Sequence, residues 1–391
     1  MRDEPGARIW WRCCKRHRRG IAATGIVALL SGYAIRRLDS VISNNGKVVT
    51  DPQLACAQSW TATRLAWIVG YALLSDRGVV PLSCGKSVYF RRDAFLPISA
   101  GDVVFVRASH LPRFFREVLP AVGNASRFAL VTADAPRTDH TLPGPFLSAD
   151  ETSHLLDHPA VAGWWSTNSP HPRVRKLPLG IDFHDGARHG RLQPDVQWGH
   201  LLRPWALYSA QASPAAQEAT LLEVARSLRP TRERELRAFA DFQFERSQGH
   251  RQKLWRRLQR GNGSSVVVAP PRRLPRAELW RLKGRYMFDI SPRGRGLDCY
   301  RTWESLALGM IVIVERSPLD SLYDGLPVVV VDDLAAITDQ KLRRWAVAHL
   351  HGEHATVDVG GARVPERVTA EYWMRTLRAA ATRTGQRRAL G

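Results

Sequence analysis

The chain has 391 residues, 44% of them hydrophobic and 24% charged. That is more than one typical domain and enough apolar material for a sizeable core, which excludes bulk disorder. The net charge is +21, and a surface of this sign attracts phosphates, nucleic acid, acidic glycans and anionic lipid.

Arginine supplies most of the charge, since lysine stands only at Lys15, Lys47, Lys86, Lys176, Lys253, Lys283 and Lys341. An arginine-biased composition would give the same total without any polyanion partner. The arginines are interspersed with acidic residues, and no helix-turn-helix, finger or RRM signature is present. Nucleic acid is therefore not expected as a partner. The five cysteines form no CxxC pair, which argues against a zinc site built from cysteine pairs.

In chain order, residues 1–20 form a basic tail that includes Cys13 and Cys14, and residues 21–35 carry no charge before Arg36 and Arg37 close the run. At 1.5 Å per residue the run spans roughly 22 Å, short of a ~30 Å hydrocarbon core but workable with snorkelling arginines. Residues 21–37 are read as a retained signal anchor with a cytosolic N-terminus. The rival is a cleaved signal peptide, for which no small-x-small site stands out. Sequons at Asn124-Ala-Ser126 and Asn262-Gly-Ser264 agree with a lumenal body. So does a disulfide between Cys56 and Cys84, while Cys13 and Cys14 sit where palmitoylation occurs. Free thiols are the alternative for all four.

Residues 38–60 read as a polar stem and 61–200 as a first α/β domain. Within it a core helix is predicted over 60–74, a strand over 102–106, an amphipathic helix over 111–119, a strand over 128–132, a helix over 152–161 and a strand over 174–179. The loop-rich stretch 184–215 holds the expected boundary. Over 201–391 the alternation resumes: helix 214–228, strand 241–245, helix 252–258, strand 266–269, helix 276–282, strand 286–290, helix 299–308, and strands 310–314 and 328–331. A helix over 365–384 closes the chain with Pro365 in its first turn. This alternation predicts α/β domains with parallel sheets.

Residues 288–314 carry the most information: a strand, a Gly-rich loop, a helix and a strand. Gly294 and Gly296 permit a tight turn and close ligand approach. Asp298 stands where an N-cap belongs, and the helix start beyond it would face a diphosphate, with Arg293 and Arg295 adding charge. Arg301 and Glu304 lie three apart on one side of the helix. Arg301 is expected to reach phosphate and Glu304 to accept from ribose hydroxyls, unless the two simply pair with each other. Gly309 ends the helix as a C′ residue. Neither a Walker loop nor GxGxxG is present.

The run Ser291-Pro292-Arg293-Gly294, then Gly296-Leu297-Asp298-Cys299-Tyr300-Arg301-Thr302-Trp303-Glu304, with Leu306 and Gly309 to Val314, resembles the C-terminal signature of exostosin-like glycosyltransferases of the family 47 type. Looser similarity, including to a ribitol xylosyltransferase-like branch, lies in Gly101 to Val106, Phe114-Phe115, Val118 to Pro120, Leu130 to Asp134, Trp164-Trp165 with Asn168, and Leu177 to Asp182. Val312 stands where the family usually has proline, and Ser305 where it often has alanine.

The resemblance implies a GT-B fold: two Rossmann-like domains facing across a cleft, behind an N-terminal transmembrane anchor. It also implies a nucleoside-diphosphate sugar donor, with UDP expected, a glycan or glycoprotein acceptor, inversion at the anomeric carbon, and a type II Golgi or other secretory-pathway membrane protein. Ser291, Arg293, Gly294, Gly296, Asp298, Arg301 and Glu304 would bind the nucleotide sugar, with Arg251 a further phosphate contact unless it is a solvated surface side chain. The general base is expected from Asp134 or His110, with Asp182 as a third candidate. No cofactor or metal is expected: no Asp-x-Asp stands in a suitable loop, and His349, His351, Glu353 and His354 fit no standard spacing. Two other functions compete, a membrane-tethered basic protein that binds polyanions without catalysis and a nucleotide-sugar epimerase. The missing GxGxxG weighs against the epimerase.

Overall fold

The structure, a computed structural model, describes residues 43–44, 47–48, 63–78, 90–133, 144–183, 214–243, 249–261, 265–272, 274–352 and 354–382. The predicted anchor over 21–37, Cys13, Cys14, Cys56, Cys84, Asp134, the 262–264 sequon and Glu353 lie outside these residues. The chain divides into two units, residues 1–55 and 56–391. In the first, β1 (Ser43–Asn44) pairs antiparallel with β2 (Lys47–Val48). No helix among the described residues is long and apolar enough to cross a membrane.

The second unit contains two five-stranded parallel sheets, an α/β architecture compatible with a Rossmann-like fold. The first sheet runs in sequential order through β3 (Arg77–Gly78), β4 (Val103–Arg107), β5 (Phe128–Ala133), β6 (Val161–Thr167) and β7 (Arg175–Leu177). Its alternating side chains feed two cores, as the period of a strand dictates. Val103, Phe105, Ala129, Val131 and Trp165 face one layer; Val104, Val106, Phe128, Leu130 and Trp164 face the other. The second layer is covered by α2 (Ala149–Asp157) and the helical segment from Leu111 to Ala121. The sequence predicts one continuous helix there. Instead the segment passes through α, π and 3-10 geometry, a succession consistent with Pro112 and Pro120, each of which lacks a donor.

The first layer is covered by α1 (Ile68–Leu74) and by the last helix among the described residues, α8 (Ala370–Thr382). Trp373, Leu377 and Ala381 of α8 share one core with Val103, Ala129 and Trp165. Residues 370–382 thus return to the first of the two sheets. Pro365 is not in this helix; it ends the short strand Ala362–Pro365. The strap before α1 is tight: Trp67 bridges to Gly180, which has φ 71°, and a Cβ there would lie 2.0 Å from the Ala66 carbonyl oxygen.

The second sheet has the order β12 (Val328–Val331), β11 (Ile311–Glu315), β10 (Tyr286–Ile290), β8 (Glu235–Phe239), β9 (Val267–Val268). The chain moves from β8 outward to β9, then returns to the other side of β8 to start β10. The winding direction therefore reverses between β8 and β10, the place where parallel α/β sheets open a crevice beyond the carboxyl ends of their strands. On one face lie α3 (Pro214–Ser227), α5 (Arg276–Lys283) and α6 (Tyr300–Ala307); on the other lie α4 (His250–Arg260) and α7 (Asp339–Leu350). A hairpin, β13 (Thr356–Val359) and β14 (Ala362–Pro365), turns on Gly360 and Gly361, both with positive φ, and packs beside α3 and α6.

Candidate functional site

The loop from Ser291 to Cys299 leaves β10 at this reversal and leads into α6. Pro292 and the two nearby glycines keep it out of regular structure, so its carbonyls need partners other than a ladder or helix. Arg251, in the first turn of α4, does this. It is 6% exposed, and its guanidinium donates to the carbonyls of Arg293 (3.0 Å), Pro292 (3.0 Å) and Gln243 (3.2 Å). Arg251 is therefore a buried brace of the loop and not a solvated surface side chain. A Cβ on Gly294 would sit 2.9 Å from its Nη2, so a larger residue there would have to push the guanidinium aside.

Asp298 is placed one residue short of the expected cap: Cys299 holds the N-cap position, with no side-chain cap bond. The Asp298 carboxylate turns inward at 3% exposure and accepts from Leu179 N (2.9 Å), Trp303 Nε1 (2.8 Å), Cys299 N (2.8 Å) and Tyr323 Oη (3.5 Å). A negative group thus already occupies the start of α6, and charge for an anionic ligand must come from elsewhere. Burial pushes the Asp298 carboxyl up to about 6, against the pull of its donors. A free carboxyl titrates near 4. Between these values the folded chain holds a proton that the unfolded chain has lost, so this group makes the protein less stable as pH rises through about 4 to 6, by on the order of 3 kcal/mol. In urea titrations across that window, Asp298→Asn is expected to flatten the pH slope relative to the parent. Parallel slopes would contradict this.

Beneath the loop lies a buried ionic cluster. Lys283, fully buried on α5, reaches Asp241 (3.4 Å) just past β8 and Asp289 (3.3 Å) in β10. Arg301 of α6, 8% exposed, pairs with the other oxygen of Asp241, and Ser305 donates to Asp289 (2.8 Å). Burial alone would raise Asp241, but Lys283 and Arg301 outweigh it and hold the carboxyl at about 2. Asp289 has less compensation, and burial pushes it up to about 7. The Arg301 side chain is thus turned to Asp241 rather than toward the loop surface.

Glu304 is likewise occupied. At 1% exposure it accepts from Arg276 and from Trp280 Nε1 (3.3 Å), while Arg276 also donates to Gln217 (3.0 Å) and stacks over Trp280. It pairs across to α5 and not with its helix neighbour Arg301.

Outward, Arg293 and Arg295 remain exposed, and among the described residues no partner holds either guanidinium. Ser291, Arg293 and Leu297 line one side of a cavity of about 280 Å³, which is also lined by Glu315 at the end of β11 and by Arg316 and Ser317 just past it. His250 Nε2 meets Glu315 at 2.8 Å, and Arg316 is held by Asp332 (2.6 Å) and Asp320 (3.3 Å). Glu315, Arg316 and Ser317 were not among the site residues predicted from sequence, although they stand at and just past the end of the apolar run Ile311 to Val314.

The structure therefore groups Arg251, Ser291, Arg293, Gly294, Gly296, Asp298, Arg301 and Glu304 in and under one loop. His110 lies elsewhere, on the turn after β4 with its ring edge-on to Phe90 (5.7 Å) in the outer core of the first sheet. Asp182 lies past β7, beside Ile181, whose N–H donates to the Ala66 carbonyl of the strap before α1. Among the described residues no group of three or more His, Cys, Asp or Glu is arranged to hold a metal ion. No known protein family matches the chain, and no curated protein matches it either.

Proposed function

We propose that the chain is a glycosyltransferase with two facing α/β lobes, moving a sugar from a nucleoside-diphosphate donor, UDP foremost, to a glycan or glycoprotein acceptor. The observation that carries this reading is the cavity beyond the carboxyl ends of β10, β11 and β12, walled on one side by a Gly-rich loop whose two arginines stand exposed while its Pro292 and Arg293 carbonyls are tied down by Arg251. A diphosphate needs such a surface: fixed backbone, serine hydroxyls and guanidinium groups that match its oxygens in pairs. The exostosin-like character of residues 291–314 adds the sugar-nucleotide class.

In this mechanism Arg293, Arg295 and Ser291 take the donor diphosphate and stabilise its charge as the bond to the anomeric carbon breaks. Arg301 and Glu304 act from below, as supports of α6. A base from the first lobe, Asp134 or His110, removes the acceptor proton, and displacement inverts the anomeric centre. No metal is needed where arginines carry the diphosphate. A membrane anchor over 21–37 and a lumenal secretory-pathway location belong to the same proposal.

Arg293→Ala tests it. The side chain is exposed and unpaired among the described residues, so its removal should leave the melting temperature within about 1 °C, as surface changes do. UDP at one hundred times its dissociation constant should stabilise the parent by ~2.7 kcal/mol and bind Arg293→Ala about tenfold more weakly. Failure of UDP, UDP-sugars and GDP-sugars alike to stabilise the folded parent would sink the enzyme reading. Salt-sensitive heparin binding in that case would favour polyanion binding instead.

A further inference from the structure

The loop is gripped from the first lobe as well as from its own. Asn168 follows β6, and among the described residues it is the one non-glycine residue with positive φ, at 54°. A left-handed residue other than glycine stores strain that its surroundings must hold in place, and asparagine tolerates it best. Its surroundings are firm. Asn168 is 3% exposed, and Lys176 fastens the turn behind it by donating to the carbonyls of Ser169 (2.8 Å) and His171 (2.8 Å).

From this braced position the Asn168 amide reaches the Gly-rich loop. Its Oδ1 accepts the backbone N–H of Asp298 at 2.7 Å. Its amide plane lies flat on Gly296, where an added Cβ would meet Cγ, Nδ2 and Oδ1 all at 2.8 Å. Gly296 has no positive φ to explain it, so the space claimed by Asn168 is what requires glycine. Two residues later the Asp298 carboxylate takes the N–H of Leu179, beyond β7. The carboxyl edge of the first sheet therefore holds the loop at Gly296, at the Asp298 backbone and at the Asp298 side chain.

We propose that Asn168 is a positioning residue of the first lobe that fixes the shape of the Gly294 to Asp298 loop, so that nucleotide binding on the second sheet depends on a side chain from the first. The dependence on nucleotide rests on the donor-site reading above; the fixing of the loop does not. Glycine accepts φ near 54° without strain, so Asn168→Gly removes the amide while sparing the backbone, and the variant should fold.

Amide hydrogen exchange on the full chain decides the matter. In Asn168→Gly, amides of residues 293–299 should exchange at least about tenfold faster, with the strands β6 and β10 unchanged. Asn168→Asp, which keeps the shape and the accepting oxygen, should restore the protection. UDP titrated onto Asn168→Gly should bind about tenfold more weakly. Unchanged loop exchange would overturn the proposal, and so would faster exchange spread equally over both strands, which marks a merely structural role. A loosened loop with unaltered UDP affinity would overturn it too. If the parent binds no UDP, the donor reading fails, and loop exchange alone still judges the positioning role.

Discussion

Lys283→Ala is expected to destabilise the fold by about 3–5 kcal/mol, the range for leaving buried charge without its partner. Whole domains are stable by only about 5–15 kcal/mol, so the effect should be plain in urea unfolding followed by tryptophan fluorescence. Lys283 is fully buried between Asp241 and Asp289. Without it, two buried carboxylates share the single cation Arg301. The loss should depend on pH with a definite sign. Burial already holds Asp289 up at about 7, with Lys283 pulling it down, and removing the lysine raises it further. Below pH 7 Asp289 in the folded variant carries a proton that the unfolded chain, near 4, has released. Stability of the variant must therefore fall as pH rises from about 5 to 8. A loss that is equal at pH 5 and pH 8 would contradict this account.

Arg276→Ala is expected to be of similar size, about 3–5 kcal/mol, because it strands Glu304 at 1% exposure. Glu304→Ala strands Arg276 and should cost about the same. The informative variant is the pair changed together. Arg276→Met with Glu304→Leu replaces two buried charges by apolar groups of like volume, and such swaps are often neutral or better. The double variant should regain most of the lost stability, short of the bond from Arg276 to Gln217. It also separates two roles for Glu304. A double variant that folds and still binds UDP makes the carboxylate a support for α6; one that folds and no longer binds makes it a ligand contact. Thermal unfolding with and without UDP reads both.

Much of the second sheet was legible because its strands are nearly pure apolar runs between turn residues. Residues 286–290 and 328–331 were placed at their observed bounds, and Gly309, with φ 73°, ends α6 as a C′ glycine should. Legibility failed where charge masks a strand. The exposed Glu235 and Arg237 in β8 disguise it, and the prediction slid to 241–245, past the strand's end. β6 was missed although Val161 to Thr167 is rich in β-branched and aromatic residues, because the helix before it was drawn too far. The hairpin β13–β14 had a signal too, Gly360-Gly361 between alternating residues.

At the site the residue types pointed to the right loop, but not to which way each side chain turns. Spacing puts Arg301 and Glu304 near one another on α6; only the fold reveals that Asp241 and Arg276 claim them first. Asn168 had no local pattern to betray it, since its partner lies 130 residues away.

The return of α8 to the first sheet sets an order on biogenesis. As the chain emerges from the ribosome, the first sheet is complete by Leu177, yet the apolar layer around Val103, Ala129 and Trp165 stays partly uncovered until Ala370–Thr382 arrive. Nearly two hundred residues of synthesis separate the strands from their cover. During that interval the exposed layer is a target for holding chaperones, and a nonsense mutation that removes residues 370–382 would spoil the lobe that was translated first.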